Sequence, residues 1–386
     1  MPPYYNKGET VVQGSRGMRF CAGLRADGQV ACTGDSLRIE NRKEVTLLLS
    51  MATSYVDFRS MPTADEKARM LAYFDGAADY PTLLAAHIAD FSALMDRVTL
   101  ELEGGDDSLP TDVRLKRMQK DKSDQSLIAL LFQYGRYLTV SGSRPGTNAM
   151  TLQGIWNEQV RAPWSSSYTT NINTEMNYWP ANICGLAQSE EPLFDLLARM
   201  VPNGQRTARE LYHCRGFVAH HNTDLWGDTD PQDRYIPASF WPMGAAWLCT
   251  HIWRHYLYSG DTKFLRAQFP TLEQAVLFFT DFLEQDADGY YVTNPSVSPE
   301  NTYILPDGVR GHLCIGPTMD RQILRELFAG YLAAAAKLSV TNETTCAAAA
   351  ILPRLRPTQI GSDGRLLEWG GETDRPEFQK LLGEIR

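Results

Sequence analysis

The feature that most constrains this chain is a change of hydrophobic period near Pro62. Before it, short apolar runs follow the strand pattern; after it, apolar residues recur at helical spacing. The runs MRFCAGL (18–24) and QVACTG (29–34) flank Ala26-Asp27-Gly28, and Asp-Gly between two such runs predicts a β-hairpin. SLRIE and EVTLLLSMATSY continue the β pattern. Four short strands bury too little to stand alone, so they read as the edge of something larger. Thr63 and Glu66 have capping-box spacing for a first helix, which Gly76 closes, and residues 80–97 give a second. The stretch GGDDSLPTD (104–112) is a boundary loop. Beyond it, helices are predicted over 123–139, 171–183, 189–213, 241–259, 270–285, 317–338 and 343–352. Between them run the long polar, aromatic-containing loops 140–170, 214–240 and 287–316. Loops of that length in a compact domain are usually functional. An all-α domain with its chemistry on interhelical loops is the architecture of an α-toroid, in which paired helices ring a pocket.

Length and charge narrow the function class. The 386 residues suffice for one large domain or two moderate ones. A formal charge of −9 argues against nucleic acid, whose phosphates require a basic face. No apolar run approaches the roughly 18 residues of a membrane span. The seven cysteines (21, 32, 184, 214, 249, 314, 346) have no metal-type spacing. Cys21 and Cys32 could face each other across the predicted hairpin, but free thiols are the simpler reading and favour a reducing compartment. MPPYYNKGET has no apolar signal-peptide core, which slightly favours a cytoplasmic location.

Seven of the eight tryptophans lie between Trp156 and Trp253, interleaved with Asn, Asp and His. Sugar C–H faces lie flat on indole rings, while sugar hydroxyls need fixed amide and carboxylate partners. A pocket lined with both residue kinds suits an oligosaccharide; the alternative is a helical core with polar caps. Within this region Trp156 opens GIWNEQVRAPW, and Trp241 opens the run WPMGAAW. Glu300, in NPSVSPEN, sits on a loop stiffened by Pro295 and Pro299. A carboxyl held there among aromatics would be a general acid; otherwise it caps a helix. Asn171, Asn173 and Asn177 fall within seven residues. Asn171 could cap a helix, whereas paired amides can grip a water or sugar hydroxyls without adding charge.

His220-His221-Asn222-Thr223-Asp224-Leu225-Trp226 mixes residues suited to sugar hydroxyls or to a turn. A metal site is not expected there, because adjacent histidines on a strand point apart. Near the C-terminus, the cluster of Glu368, Glu372 and Asp374 beside Trp369 offers a second carboxyl, which a glycosidase needs, or else a solvated turn. No GxSxG elbow, phosphate-binding loop, dinucleotide fingerprint or CxxC occurs.

The run from Leu109 to Asn182, together with HHNTDLWGDTDP, FWPMGAAWL and NPSVSPEN in that order, resembles glycoside hydrolase family 95, the inverting α-L-fucosidases. The resemblance implies a mainly α chain: an incomplete (α/α)6 toroid over 111–386, preceded by the last strands of a β-sandwich domain (1–60) and a helical linker (61–110). It implies that Glu300 is the general acid and that Asn171 and Asn173 position the attacking water. It places His221, Asn222, Asp224, Trp226 and Trp241 near the fucose pocket. Glu372 would occupy an acidic position of the Glu-Trp motif, or the catalytic base would be absent. Relatives extend at both ends, so the chain reads as truncated. The expected substrate is a terminal α-1,2-linked fucosyl oligosaccharide, with no cofactor, nucleic acid or membrane partner; the sequence sets no oligomeric state. The competing readings are an inactive fragment that binds glycans or folds poorly, another α-glycosidase such as an α-L-galactosidase, and a phosphorylase or lyase on the same toroid.

Overall fold

The structure, a computed structural model, describes residues 17–159, 161–305 and 308–369. The chain divides into two compact units between Arg97 and Val98. The first contains β1 (Phe20–Ala26), β2 (Val30–Thr33), β3 (Ser36–Ile39), β4 (Leu47–Thr53), α1 (Glu66–Asp75) and α2 (Tyr80–Met95). Its pairing corrects the predicted hairpin. β1 runs antiparallel to β4, from Phe20 opposite Thr53 to Ala26 opposite Leu47, and β2 pairs with β3. Asp27 extends the first ladder instead of turning back: its N–H donates to the Thr46 carbonyl, and its carboxylate accepts the Thr46 N–H at 2.8 Å. The longer partner wins because β4 turns Ser50 and Ala52 inward toward α1, whereas every residue of β2 is exposed. Cys21 lies opposite Ala52 and Cys32 opposite Leu37, so the two thiols do not meet, and both are free. Asp65, not Thr63, caps α1 by accepting the Ala68 N–H at 2.8 Å. Asp79 caps α2 in the same way.

The second unit is mainly helical: α3 (Thr111–Met118), α4 (Gln125–Gly142), α5 (Asn173–Ile183), α6 (Glu191–Tyr212), α7 (Ile236–Ser239), α8 (Gly244–Ser259), α9 (Thr262–Phe282), α10 (Thr318–Leu338) and α11 (Glu343–Ile351). Two-residue strands stitch its loops in antiparallel pairs: β5 (Tyr168–Thr169) with β6 (Asn222–Thr223), β7 (Glu284–Gln285) with β8 (Tyr291–Val292), β9 (Ser296–Val297) with β12 (Leu313–Cys314), and β10 (Tyr303–Ile304) with β11 (Arg310–Gly311). α9 begins eight residues earlier than its proline suggested. Asp261 caps it by accepting the N–H groups of Lys263 and Phe264, and the helix continues through Pro270. A good cap and a continuous apolar face outweigh one missing backbone bond.

α8, α9 and α10 pack on one another, with α6 and α11 against α9. Leu193, Leu197, Met200, Ile252, Phe278, Phe328 and Tyr331 fill the interior between them. On α6 the buried residues 193, 196, 197, 200, 204, 207 and 208 recur at helical spacing, which aims one face inward. Each buried leucine or methionine among them stabilises the fold by about 1.5–3 kcal/mol. A polar knot lies inside this core: the buried Glu190 carboxylate receives His251 Nδ1 at 3.2 Å, His255 Nδ1 at 2.8 Å and the Asn182 amide at 2.7 Å. Burial pushes the Glu190 carboxyl up, but the two imidazoles outweigh it and hold it below its ordinary value.

One loop lies against α9 too closely for any side chain. Gly216 has φ +73°, and a Cβ there would fall 2.3 Å from both the Gln274 carbonyl oxygen and the Phe278 nitrogen. Gly216→Ala should therefore destabilise the chain by well over ~1 kcal/mol in urea unfolding. Gly135, inside α4 with open space at its Cβ, should by contrast gain roughly 0.5–1 kcal/mol as Ala.

Candidate active site

The site grows from the β5–β6 pairing. Thr170, just past β5, donates its N–H to the His221 carbonyl at 2.7 Å and its hydroxyl to the His220 carbonyl at 2.6 Å. Gly244, at the start of α8, lets this strand approach: a Cβ there would meet the His220 oxygen at 2.5 Å. The pairing delivers Asn171 to the base of the loop that carries Glu300. The Asn171 amide donates to Glu300 Oε1 at 3.1 Å, across 129 positions of sequence. Asn171 is buried and does not cap α5; Ile172 holds that position without a side-chain bond. Glu300 is exposed, so the expected enclosure among indoles is absent. Asn173 is exposed in the first turn of α5, and Asn177 donates to the Thr151 carbonyl at 3.3 Å.

The two adjacent histidines do different work. His220 is fully buried between the Thr229 carbonyl (Nδ1, 2.7 Å) and the Tyr212 hydroxyl (Nε2, 2.7 Å), and burial lowers its pKa to about 4. It is a neutral structural imidazole. His221 is buried beside the site: desolvation lowers its pKa, against the opposing charges of Asp233 and Glu300. Its Nε2 meets the Asn222 amide at 2.8 Å, while its Nδ1 has no hydrogen-bond partner among the described residues. Asp224 shapes the turn that follows, accepting the N–H groups of Trp226 and Asp228. Trp226 and Trp156 are both exposed, and Trp156 leans on Tyr137 of α4 at 6.1 Å.

Trp241 corrects an expectation. It is wholly buried, and its indole N–H donates to Asp320 at 2.9 Å, so it offers no face to a sugar. Glu372 lies outside the described residues. Two carboxylates that sequence reasoning did not assign to the site's framework hold the Glu300 loop. Asp320, in the first turn of α10, also accepts the Thr293 hydroxyl at 2.7 Å. Glu368 accepts the Ser298 hydroxyl at 2.6 Å and the Asn301 amide. An Asp in a first helical turn is ordinary, so no sequence signal marked Asp320. Glu175 of α5 was also unforeseen. It is fully buried with neither oxygen hydrogen-bonded among the described residues, and burial raises its pKa well above normal.

Residues 79–380 match the Glycosyl hydrolase family 95 catalytic domain. The chain belongs to that family. Alpha-L-fucosidase 2 of Arabidopsis thaliana is 37% identical over 361 residues, covering 89% of this chain and 42% of its own length. A probable alpha-fucosidase A of Aspergillus niger is 31% identical over 89% of this chain and 45% of its own. The chain thus spans less than half the length of these relatives. Among solved structures, a putative kojibiose phosphorylase from the human microbiome shares the fold at TM-score 0.60 and 11% identity, over 94% of this chain and 48% of that one. No described helix is long and apolar enough to cross a membrane.

Asp320 gives the site framework a pH signature. Burial raises its pKa to about 6, although its hydrogen bonds from Ser296, Thr293 and Trp241 oppose the shift. A carboxyl whose folded pKa exceeds its unfolded value binds its proton more tightly when folded. Its stabilising contribution is therefore complete below an unfolded pKa of about 3.9 and is lost as pH rises through about 6. Urea unfolding of the native chain and of Asp320→Asn across that window should show this decline in the native chain and a flatter profile in the variant. Parallel profiles would contradict the assignment.

Proposed function

We propose that this chain is the catalytic part of an α-L-fucosidase-type glycoside hydrolase, folded as part of an (α/α)6 toroid, that removes terminal α-1,2-linked L-fucose with inversion. The observation that carries the reading is the 3.1 Å hydrogen bond from Asn171 to Glu300, which joins two separately suspected residues. In the reaction, Glu300 donates its proton to the leaving glycosidic oxygen. The Asn171 amide, bound to Oε1, fixes the carboxyl plane and leaves Oε2 to face the substrate. The acceptor oxygens of Asn171 and of the exposed Asn173, at the start of α5, orient the attacking water. Neutral amides orient that water through their acceptor oxygens without drawing protons from the acid.

A second carboxyl completes the water's activation, and Glu372 is our candidate; inversion calls for a separation of roughly 6.5–9.5 Å from Glu300. His221, Asn222 and Asp224 supply hydroxyl partners, and the exposed Trp156 and Trp226 supply flat apolar faces. The family match and the fucosidase names of the relatives support the choice of sugar. The phosphorylase likeness is one of fold alone.

Glu300→Gln should lower kcat on 2′-fucosyllactose by ~10²–10⁴-fold, and far less on an aryl fucoside whose leaving group needs no protonation. Equal losses on both substrates would remove Glu300 from the acid role. Proton NMR of the first-formed fucose should show the β anomer; the α anomer would overturn inversion.

A further inference from the structure

We propose that Glu368 is a positioning residue that aims Glu300 by clamping both ends of the turn on which it stands, an inference that rests on the acid role given to Glu300 above. The Asn301 N–H donates to the Ser298 carbonyl at 2.7 Å, closing a four-residue turn with Glu300 at its third position. One carboxylate oxygen of Glu368 accepts from both ends of that turn: the Ser298 hydroxyl at 2.6 Å and the Asn301 side-chain amide. Ser298 is buried, Asn301 and Glu368 are half-buried, and Glu300 at the apex is exposed. The clamp is thus sheltered while the residue it aims faces outward.

Glu368 is itself fixed to a rigid element. Its backbone carbonyl accepts the Thr318 N–H at 2.9 Å, and the Thr318 hydroxyl donates to the neighbouring Leu367 carbonyl at 2.5 Å. Thr318 is the first residue of α10, so the Glu368 backbone satisfies one of the amide groups that a helix leaves open at its start. The same helix turn carries Asp320, which holds Thr293 just upstream of Glu300. An exposed side chain at the apex of a turn would otherwise sample many orientations, and proton transfer tolerates little misplacement. A hydrogen-bonded anion with both donors on one oxygen is well suited to hold such a turn.

The test compares Glu368→Ala with the conservative Glu368→Gln, which keeps an acceptor oxygen. For Glu368→Ala, kcat on 2′-fucosyllactose should fall about 100-fold with KM nearly unchanged. Its rate on an activated aryl fucoside should fall less than ~5-fold, and Glu368→Gln should restore most of the loss. Amide hydrogen exchange should quicken in residues 296–303 of Glu368→Ala while α10 keeps its protection. Equal losses on both substrates, or a Gln variant as impaired as the Ala variant, would overturn the clamp. Unchanged exchange in 296–303 would overturn it as well. If the native chain hydrolyses neither fucoside, exchange decides the clamp alone: quickened exchange in 296–303 upholds it and unchanged exchange overturns it, whatever becomes of the acid role of Glu300.

Discussion

The buried carboxylate of Asp320 is the interaction on which the site's geometry depends. It joins three stretches distant in sequence: the first turn of α10, Trp241 ahead of α8, and Thr293 on the way to Glu300. A carboxyl with no solvent contact is costly unless donors surround it, and here an indole and a hydroxyl are held in place to supply them. The arrangement is reciprocal. The donors stabilise Asp320, and Asp320 forbids the loop and the indole from moving independently. Trp241 consequently serves the site as framework, which is why a residue chosen as a sugar platform turns out to be buried.

The exposed Glu300 and the buried scaffold behind it divide the work. Glu300 stands at the surface, and buried or half-buried groups hold it from behind: Asn171 on its own oxygen, Ser298 and Asn301 on either side of it. The adjacent histidines repeat this division on a smaller scale. His220 is locked between two hydrogen bonds in the interior, while His221, one residue on, feels the charge of Glu300. Both histidines lie just ahead of β6, and the backbone bends at His221, so the neighbouring imidazoles meet different surroundings.

Much of this was legible in the chain itself. The helical period after Pro62 and the boundaries of α6, α8 and α10 to within a few residues follow from local patterns, and motif resemblance singled out Asn171 and Glu300, which the structure joins by a hydrogen bond. Local patterns failed where two solutions satisfied them equally. Asp27-Gly28 is a sound hairpin turn, yet β1 found a longer and better-buried partner in β4. Pro270 is a sound helix start, yet Asp261 capped an earlier one.

What the sequence determined alone is the inventory: alternating and helical runs, caps, and an unusual density of Asn, Asp, His and Trp. These depend on residues a few positions apart, where propensity and periodicity act. Only the tertiary structure decided which tryptophan is framework and which is surface, and which carboxylates hold the Glu300 loop. Those assignments rest on contacts between residues separated by as many as 79 positions. Burial and hydrogen-bond geometry exist only once the helices have packed, so no local pattern can encode them.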